Sequence, residues 1–190
     1  MGAGGSAVQW ASATLREIWE ENGAARAAVL DETGKLSEAQ LAFQPAPRKW
    51  SIGEILDHLS LAERSIARVA SRVLQQAAGR GLIGEPGGLE ASPHRIDREA
   101  FDRPAAAPES VLPSPGRPLA ALLMGLEESR ERLLEVSSRA DGRVVGSVTV
   151  RHFQLGELHF YQWLALVGAH DSKHLAQIRR IKSHPQFPRD

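Results

Sequence analysis

The chain has no cysteine. That excludes disulfides, thiolate metal ligands and a cysteine nucleophile, so any sulfur chemistry would need a thiol supplied from outside. It also lacks an excess of either charge: 23 Lys and Arg stand against 23 Asp and Glu, with a sequence pI of about 7.1. Such a balance argues against a nucleic-acid partner held by phosphate neutralisation, and against a polybasic membrane contact. Long apolar runs are missing too. Nothing approaches the ~18 residues of a membrane-spanning helix, and the opening MGAGGSAVQW has neither the basic nor the apolar region of a signal peptide. Gly2 and Ser6 do fit the N-myristoylation pattern. No Lys/Arg cluster follows to supply a second membrane signal, so residues 1–7 read as a flexible small-residue tail and a cytoplasmic location is expected.

What is present fits one soluble domain over residues 1–190, with 42% hydrophobic and 24% charged residues. Val8, Ala11, Leu15, Ile18, Asn22, Ala25 and Val29 follow steps of three and four and predict one face of a first helix. Two prolines close the segment before Trp50. Ser51 and Glu54 then form a capping-box pair, with Trp50 and Ile55 in the flanking hydrophobic positions. The second helix that starts there carries an inward stripe from Ile52 through Leu59 and Ile66 to Val73, with His58 on its border. Residues 79–117 contain 12 Gly or Pro among 39 positions. They read as a long loop with one short helix around IDREAFD, and a loop of that length is expected to be functional or to lack fixed structure. A third helix is predicted from about Pro118 to Arg139. GRVVGSVTVRHFQLGE reads as an extended connection or a short strand, and a fourth helix is predicted from about Glu157 to a stop before Pro185. Four amphipathic helices without a convincing sheet imply an all-α four-helix bundle, with the long Gly/Pro-rich loop between its second and third helices.

On the fourth helix, Phe160, Trp163, Val167, His170, His174, Gln177 and Ile181 share one face. Two imidazoles therefore fall in the middle of an inward stripe, where each must find partners or stay unsatisfied. A lone H-x-x-x-H pair is more often two hydrogen-bonded core residues than a ligand pair. The third imidazole, His58, changes that weighting, because a one-turn pair plus one residue from a facing helix is how bundles assemble metal sites. Neutral imidazoles suit zinc, nickel, copper or iron, and three protein ligands leave a coordination position for water or substrate. Gln177 is placed to support His174, and is equally readable as a surface amide. HDSKH resembles H-E-x-x-H with Asp171 in the place of the glutamate, but the shorter side chain and missing third ligand rank a zincin-type hydrolase low. His94 and His184 read as solvated. His152 and His159 flank the fourth helix and could approach the site from outside the bundle.

KWSIGEILDHL and RHFQLGELHFYQWLALVGAHDSKHLAQIRRI together resemble the second and final helices of the DinB-like superfamily, over roughly residues 8–182. The resemblance implies a four-helix bundle with a metal tripod on His58, His170 and His174, holding nickel, zinc or iron, often in a homodimer. Members with known activity include thiol-dependent S-transferases using bacillithiol or mycothiol, and a mycothiol-dependent maleylpyruvate isomerase; many others have no established activity. The expectation is a metalloenzyme that transfers a low-molecular-weight thiol to a small electrophile. A metal-binding or stress-response module and a metal-dependent hydrolase are the alternatives. Two features depart from the family: Phe153 follows His152 where His-Pro is common, and the 79–117 loop is longer than usual.

Overall fold

The computed structural model describes residues 8–84, 94–145 and 148–189; residues 1–7, read above as a tail, and part of the long loop lie outside these. Four long helices form the bundle: α1 (Ala13–Thr33), α3 (Ile52–Gly79), α5 (Leu119–Ala140) and α6 (Phe160–Lys182). The short α2 (Glu38–Ala42) joins α1 to α3, and α4 (Arg98–Asp102) and a 3-10 turn (Glu109–Val111) lie in the loop between α3 and α5. Helix α6 packs along α1 and against α3, and α3 packs along α5. Among the described residues no helix is long and apolar enough to cross a membrane.

The helix starts follow from local chemistry. Ser51 Oγ accepts from the Glu54 amide at 3.2 Å while the Glu54 carboxylate accepts from the Ser51 amide at 2.8 Å, the reciprocal cap anticipated from sequence. Helix α1 begins later than its periodicity suggested. Val8 is 39% exposed, and Ser12 caps the helix by accepting from the Leu15 amide at 3.3 Å. The Asp141 carboxylate takes the amides of Ala11 and Ser12, fixing that start against the end of α5.

Two differences from expectation concern strands. The segment read as the start of the fourth helix, from about Glu157, lies instead in strand β4 (Gly156–His159), paired antiparallel with β3 (Thr149–His152), so α6 starts at Phe160. The pairing Val150↔Leu158 points these two apolar side chains to the core. Gly156 supplies the positive φ of 74° that lets the chain return. Strands β1 (Ile83–Gly84) and β2 (Val144–Val145) form a second, two-residue ribbon. Strand β3 packs against α3 and β4 against α6, and Ile83, Val145, Val150 and Leu158 of the two ribbons join the apolar cluster at that part of the bundle.

One backbone position is strained. The Lys49 amide donates to the Ala46 carbonyl at 3.1 Å, closing a turn with Pro47 and Arg48 at its centre. Arg48 has φ of 65° and is the single non-glycine with positive φ among the described residues. Proline first and positive φ second make this a type II turn, whose second central position favours Gly or Asn.

Candidate metal centre

The buried apolar residues fall into two clusters. One contains Leu15, Ile18, Ile66, Leu133 and Val167; the other contains Val29, Leu56, Leu59, Leu126, Leu175 and Ile178. The residues between them on every long helix are polar: Asn22 and Arg26 on α1, Glu63 on α3, Ser129 and Arg130 on α5, and His170, Asp171 and His174 on α6. A polar layer thus crosses the middle of the bundle. On its α1/α5 side the groups neutralise one another. Arg26 holds the Asp171 carboxylate with Nε and Nη2 at 2.8 and 3.2 Å and reaches Glu63 at 2.9 Å; Arg130 lies 3.2 Å from the other Glu63 oxygen. Two cations and two anions share one largely buried site, with Ser129 Oγ donating to Glu63 at 2.6 Å. Asn22 completes this side. Its amide bridges the Leu164 carbonyl (3.0 Å) and the Gly168 N–H (2.8 Å), one turn apart on α6. A Cβ on Gly168 would lie 2.5 Å from the Asn22 Oδ1, so glycine permits this close crossing.

On the other side stand His58, His170 and His174. Nε2 of His170 is 3.2 Å from Nε2 of His58 and 3.2 Å from Nε2 of His174, and the three ligand atoms lie within 4.8 Å of one another. The outer nitrogens of two rings are committed. His58 Nδ1–H donates to the Val111 carbonyl at 2.7 Å and His174 Nδ1–H to Gln177 Oε1 at 3.0 Å. Both rings are thereby left with a bare Nε2 lone pair facing His170. A neutral His170 carries at most one proton on Nε2, so hydrogen bonding satisfies at most one of the two contacts. The remaining convergent lone pair asks for a cation. Spacings near 3.2 Å also suit nitrogens about 2.0–2.1 Å from a common centre. The donor set therefore fits a divalent transition metal of the imidazole-preferring kind. Burial, with the neighbouring imidazoles adding to it, pushes the His170 pKa well below its ordinary value and that of His174 down to about 3. His58 is lowered as well, again mainly by burial. Metal binding at neutral pH would have no protons to displace here.

The cluster opens on a cleft of about 540 Å³. Trp50, Ile66, Phe101, Trp163 and Leu166 wall it, and Ala105 to Pro108 of the long loop cover part of it. The loop is fastened at several points. Lys173 Nζ donates to the carbonyls of Phe101 (2.5 Å) and Arg103 (3.3 Å), and the Gln154 amide reaches the carbonyls of Ala100, Phe101 and Arg103. Asp57, next to His58, receives the Ser114 amide at 2.8 Å and pairs with Arg117.

With this geometry in view, three comparisons bear on the chain. The family model of the DinB superfamily matches residues 22–178. The chain belongs to the DinB superfamily. It is 27% identical over 165 residues to the uncharacterized protein YuaE of Bacillus subtilis (strain 168), covering 83% of this chain and 93% of that protein. It also resembles the crystal structure of TT2238, a four-helix bundle protein, with a TM-score of 0.61 and 22% identity, over 87% of this chain and 98% of that one. This last likeness concerns the fold alone. In this DinB-superfamily chain the three histidines singled out from sequence come together, and Gln177 accepts a hydrogen bond from His174.

Other residues fall elsewhere. Asp171, the rival general base, faces Arg26 and not the cleft. His152 lines the cleft, with Nδ1 accepting from the amides of Gln154 and Leu155. His159 sits at the start of α6. The reading of His94 and His184 as solvated needs correction: both are half-buried, His94 3.9 Å from Glu17 and His184 against the Phe43 ring. Sequence reasoning missed Arg26, where Ala25 had been placed on the inward face. Arg26 lies four residues after Asn22 and three before Val29, a spacing that could have revealed it. Nothing in the sequence pointed to the Val111 carbonyl, because a backbone acceptor carries no residue signature.

Proposed function

We propose that this protein is a metal-dependent enzyme of the DinB superfamily that activates a low-molecular-weight thiol for transfer to a small electrophile. The observation that carries the reading is the convergence of the His58, His170 and His174 lone pairs at the floor of an apolar cleft large enough for a small molecule. A nickel, zinc or iron ion bound to these nitrogens would supply Lewis acidity and lower the pKa of a coordinated thiol. The chain does the rest by position. Val111 and Gln177 fix the tautomers and ring orientations of His58 and His174, and Trp50, Trp163 and Phe101 keep the cleft apolar. In the transfer, the thiol S–H proton passes to solvent, sulfur forms the new bond to the electrophilic carbon, and the leaving group departs with its electron pair.

Thiol transfer is preferred to hydrolysis for a stated reason. No Asp or Glu lines the cleft among the described residues, and Asp171 is held by Arg26, so the carboxylate base of a zincin-type hydrolase has no counterpart. The thiol must come from outside, since the chain has no cysteine. The test is metal analysis of the purified protein followed by assays with bacillithiol, mycothiol, glutathione or coenzyme A and a chromogenic electrophile. Metal-dependent transfer with one of these thiols is expected. Turnover of esters or amides without thiol would favour a hydrolase, and bound metal with neither activity a binding module.

A further inference from the structure

The charges around the cleft are one-sided. Arg48, Lys49 and Lys173 line it, with no carboxylate among its described lining residues. Lys173 is engaged with the carbonyls of Phe101 and Arg103 and serves to hold the roof. Arg48 and Lys49 are different: neither side chain makes an ion pair or hydrogen bond among the described residues. In a chain of zero net charge, two adjacent unpaired cations on an apolar cleft are not explained by composition. Arg48 moreover occupies the one turn position where glycine would relieve the backbone. A residue kept in a disfavoured conformation at the edge of a site points to use of its side chain. The apolar component is equally exposed. Phe153, whose ring centroid lies 4.5 Å from that of His152 in a tilted contact, is 59% exposed and lines the same cleft.

We propose that Arg48 and Lys49 form an anion-binding subsite, and that the cleft takes a small organic anion whose carboxylate or phosphate meets these two cations while its apolar body lies against Phe153, Trp50 and Trp163. The proposal deepens the enzymatic reading by naming the substrate class, and it rests on that reading only in assigning the cleft to a reacting molecule. Arg48 supplies a planar pair of donors suited to a carboxylate or phosphate edge, and Lys49 adds a point charge beside it. Both sit at a solvent-facing lip, so they select by charge at the entrance and leave the histidines free to meet the reactive atom.

The test needs no metal and no knowledge of the natural substrate. The full chain, as purified and after chelation, is titrated with the fluorescent sulfonate 8-anilinonaphthalene-1-sulfonate and with its uncharged counterpart N-phenyl-1-naphthylamine. The sulfonate is expected to bind more tightly than the neutral dye. Arg48→Gly should weaken the sulfonate by about fivefold, and the Arg48→Gly/Lys49→Ala pair by about tenfold or more, with little change for the neutral dye. Arg48→Lys should restore part of the loss, and Arg132→Ala, on an exposed face of α5, should change nothing. Because Arg48→Gly relaxes the turn, a circular dichroism spectrum like that of the parent protein excludes unfolding as the cause. Displacement of the dye by phenylacetate or by phenyl phosphate, and not by 2-phenylethanol, would identify the preferred head group. Equal affinity for the two dyes, an unchanged sulfonate affinity in the double variant, or displacement by neither anion would each overturn the subsite. If metal binds but this charge selectivity is absent, the subsite alone fails. If the selectivity holds and no metal binds, the enzymatic reading fails instead.

Discussion

The two sides of the polar layer are built from the same helices and meet different ends. On one side Arg26, Arg130, Glu63 and Asp171 sum to zero charge, and each faces an opposite charge within the bundle. On the other side His58 and His174 are bonded at their outer nitrogens, to Val111 and Gln177, and turn bare Nε2 atoms toward His170, which can satisfy at most one of them. His170 and Asp171 are consecutive residues on α6, so a rotation of about 100° around the helix separates a closed arrangement from an open one. The difference teaches what buried polar groups are for in this fold. A closed network fixes how helices pack, whereas an open one leaves convergent lone pairs whose donor set fits a cation.

The largest expected effect breaks the closed side. Arg26→Ala would leave Asp171 and Glu63 buried with Arg130 as their sole nearby cation among the described residues. Removing one partner of a buried pair typically costs about 3–5 kcal/mol. For a chain of this length that corresponds to a fall in melting temperature of roughly 10 °C, at about 2–4 °C per kcal/mol, measurable by thermal denaturation of the metal-free protein. Loss of less than about 1 kcal/mol would mean that the charges are not the fastening they resemble.

The open side should behave in the opposite way. Replacing His170 or His174 by Ala is expected to abolish stoichiometric metal while leaving the metal-free fold intact, because the apolar clusters above and below the layer remain. His94→Ala should leave metal content unchanged. Added metal should stabilise the parent by about 2.7 kcal/mol at a free concentration one hundred times the dissociation constant, by linkage, and should not stabilise His174→Ala. Full metal retention in His174→Ala, measured by elemental analysis, would end the tripod reading; a coil-like circular dichroism spectrum after chelation would make the metal structural.

Acid separates the two sides further. In the metal-free protein the three histidines have lowered pKa values, chiefly through burial, with His174 at about 3. Below about pH 6.5 the unfolded chain takes up protons that the folded chain refuses, so stability is complete above that pH and declines as pH falls toward 3. His174, with its pKa near 3, contributes a slope that approaches about 1.4 kcal/mol per pH unit once the unfolded chain is protonated. Denaturant titrations between pH 7 and pH 5 should show the decline in the parent and a shallower one in His174→Ala. Equal slopes would indicate that His174 is accessible to protons in the folded chain.

How much of this was legible in the sequence depends on the kind of signal. The four helices and the Ser51–Glu54 cap follow from periodicity and cap chemistry, which are local. The three histidines could be found because two lie one turn apart and the third sits on the edge of another stripe. The β3–β4 hairpin was missed as a hairpin because RHFQLGELHF carries a weak two-residue alternation beside a strong helical one, and tertiary pairing decides between them. Arg26 was missed because a charged residue on an inward face contradicts the usual pattern unless its partners, 37 and 145 residues away, are already known. The fastening of the long loop by Asp57, Lys173 and Gln154 was out of reach for the same reason: each bond joins residues more than 50 positions apart.

The smallest expected effect sharpens the comparison most, because it changes neither a charge nor a ligand. Gln177→Leu removes the acceptor of the His174 Nδ1–H bond while keeping an inward-leaning side chain of similar size. On the closed side, loss of an acceptor would destabilise the fold, since every group there depends on its neighbours. On the open side the Gln177 amide is half-buried, so water can replace it and the metal-free melting temperature should move little. What should change is metal affinity, by about tenfold, the lower end of the range for residues that orient a ligating histidine. The ring is then free to rotate and to place its proton on Nε2, the nitrogen that must stay bare. Competitive titration against a chromogenic chelator would read this directly, with circular dichroism confirming an unchanged fold. A drop in melting temperature without a change in affinity would move Gln177 to the closed side, and with it His174.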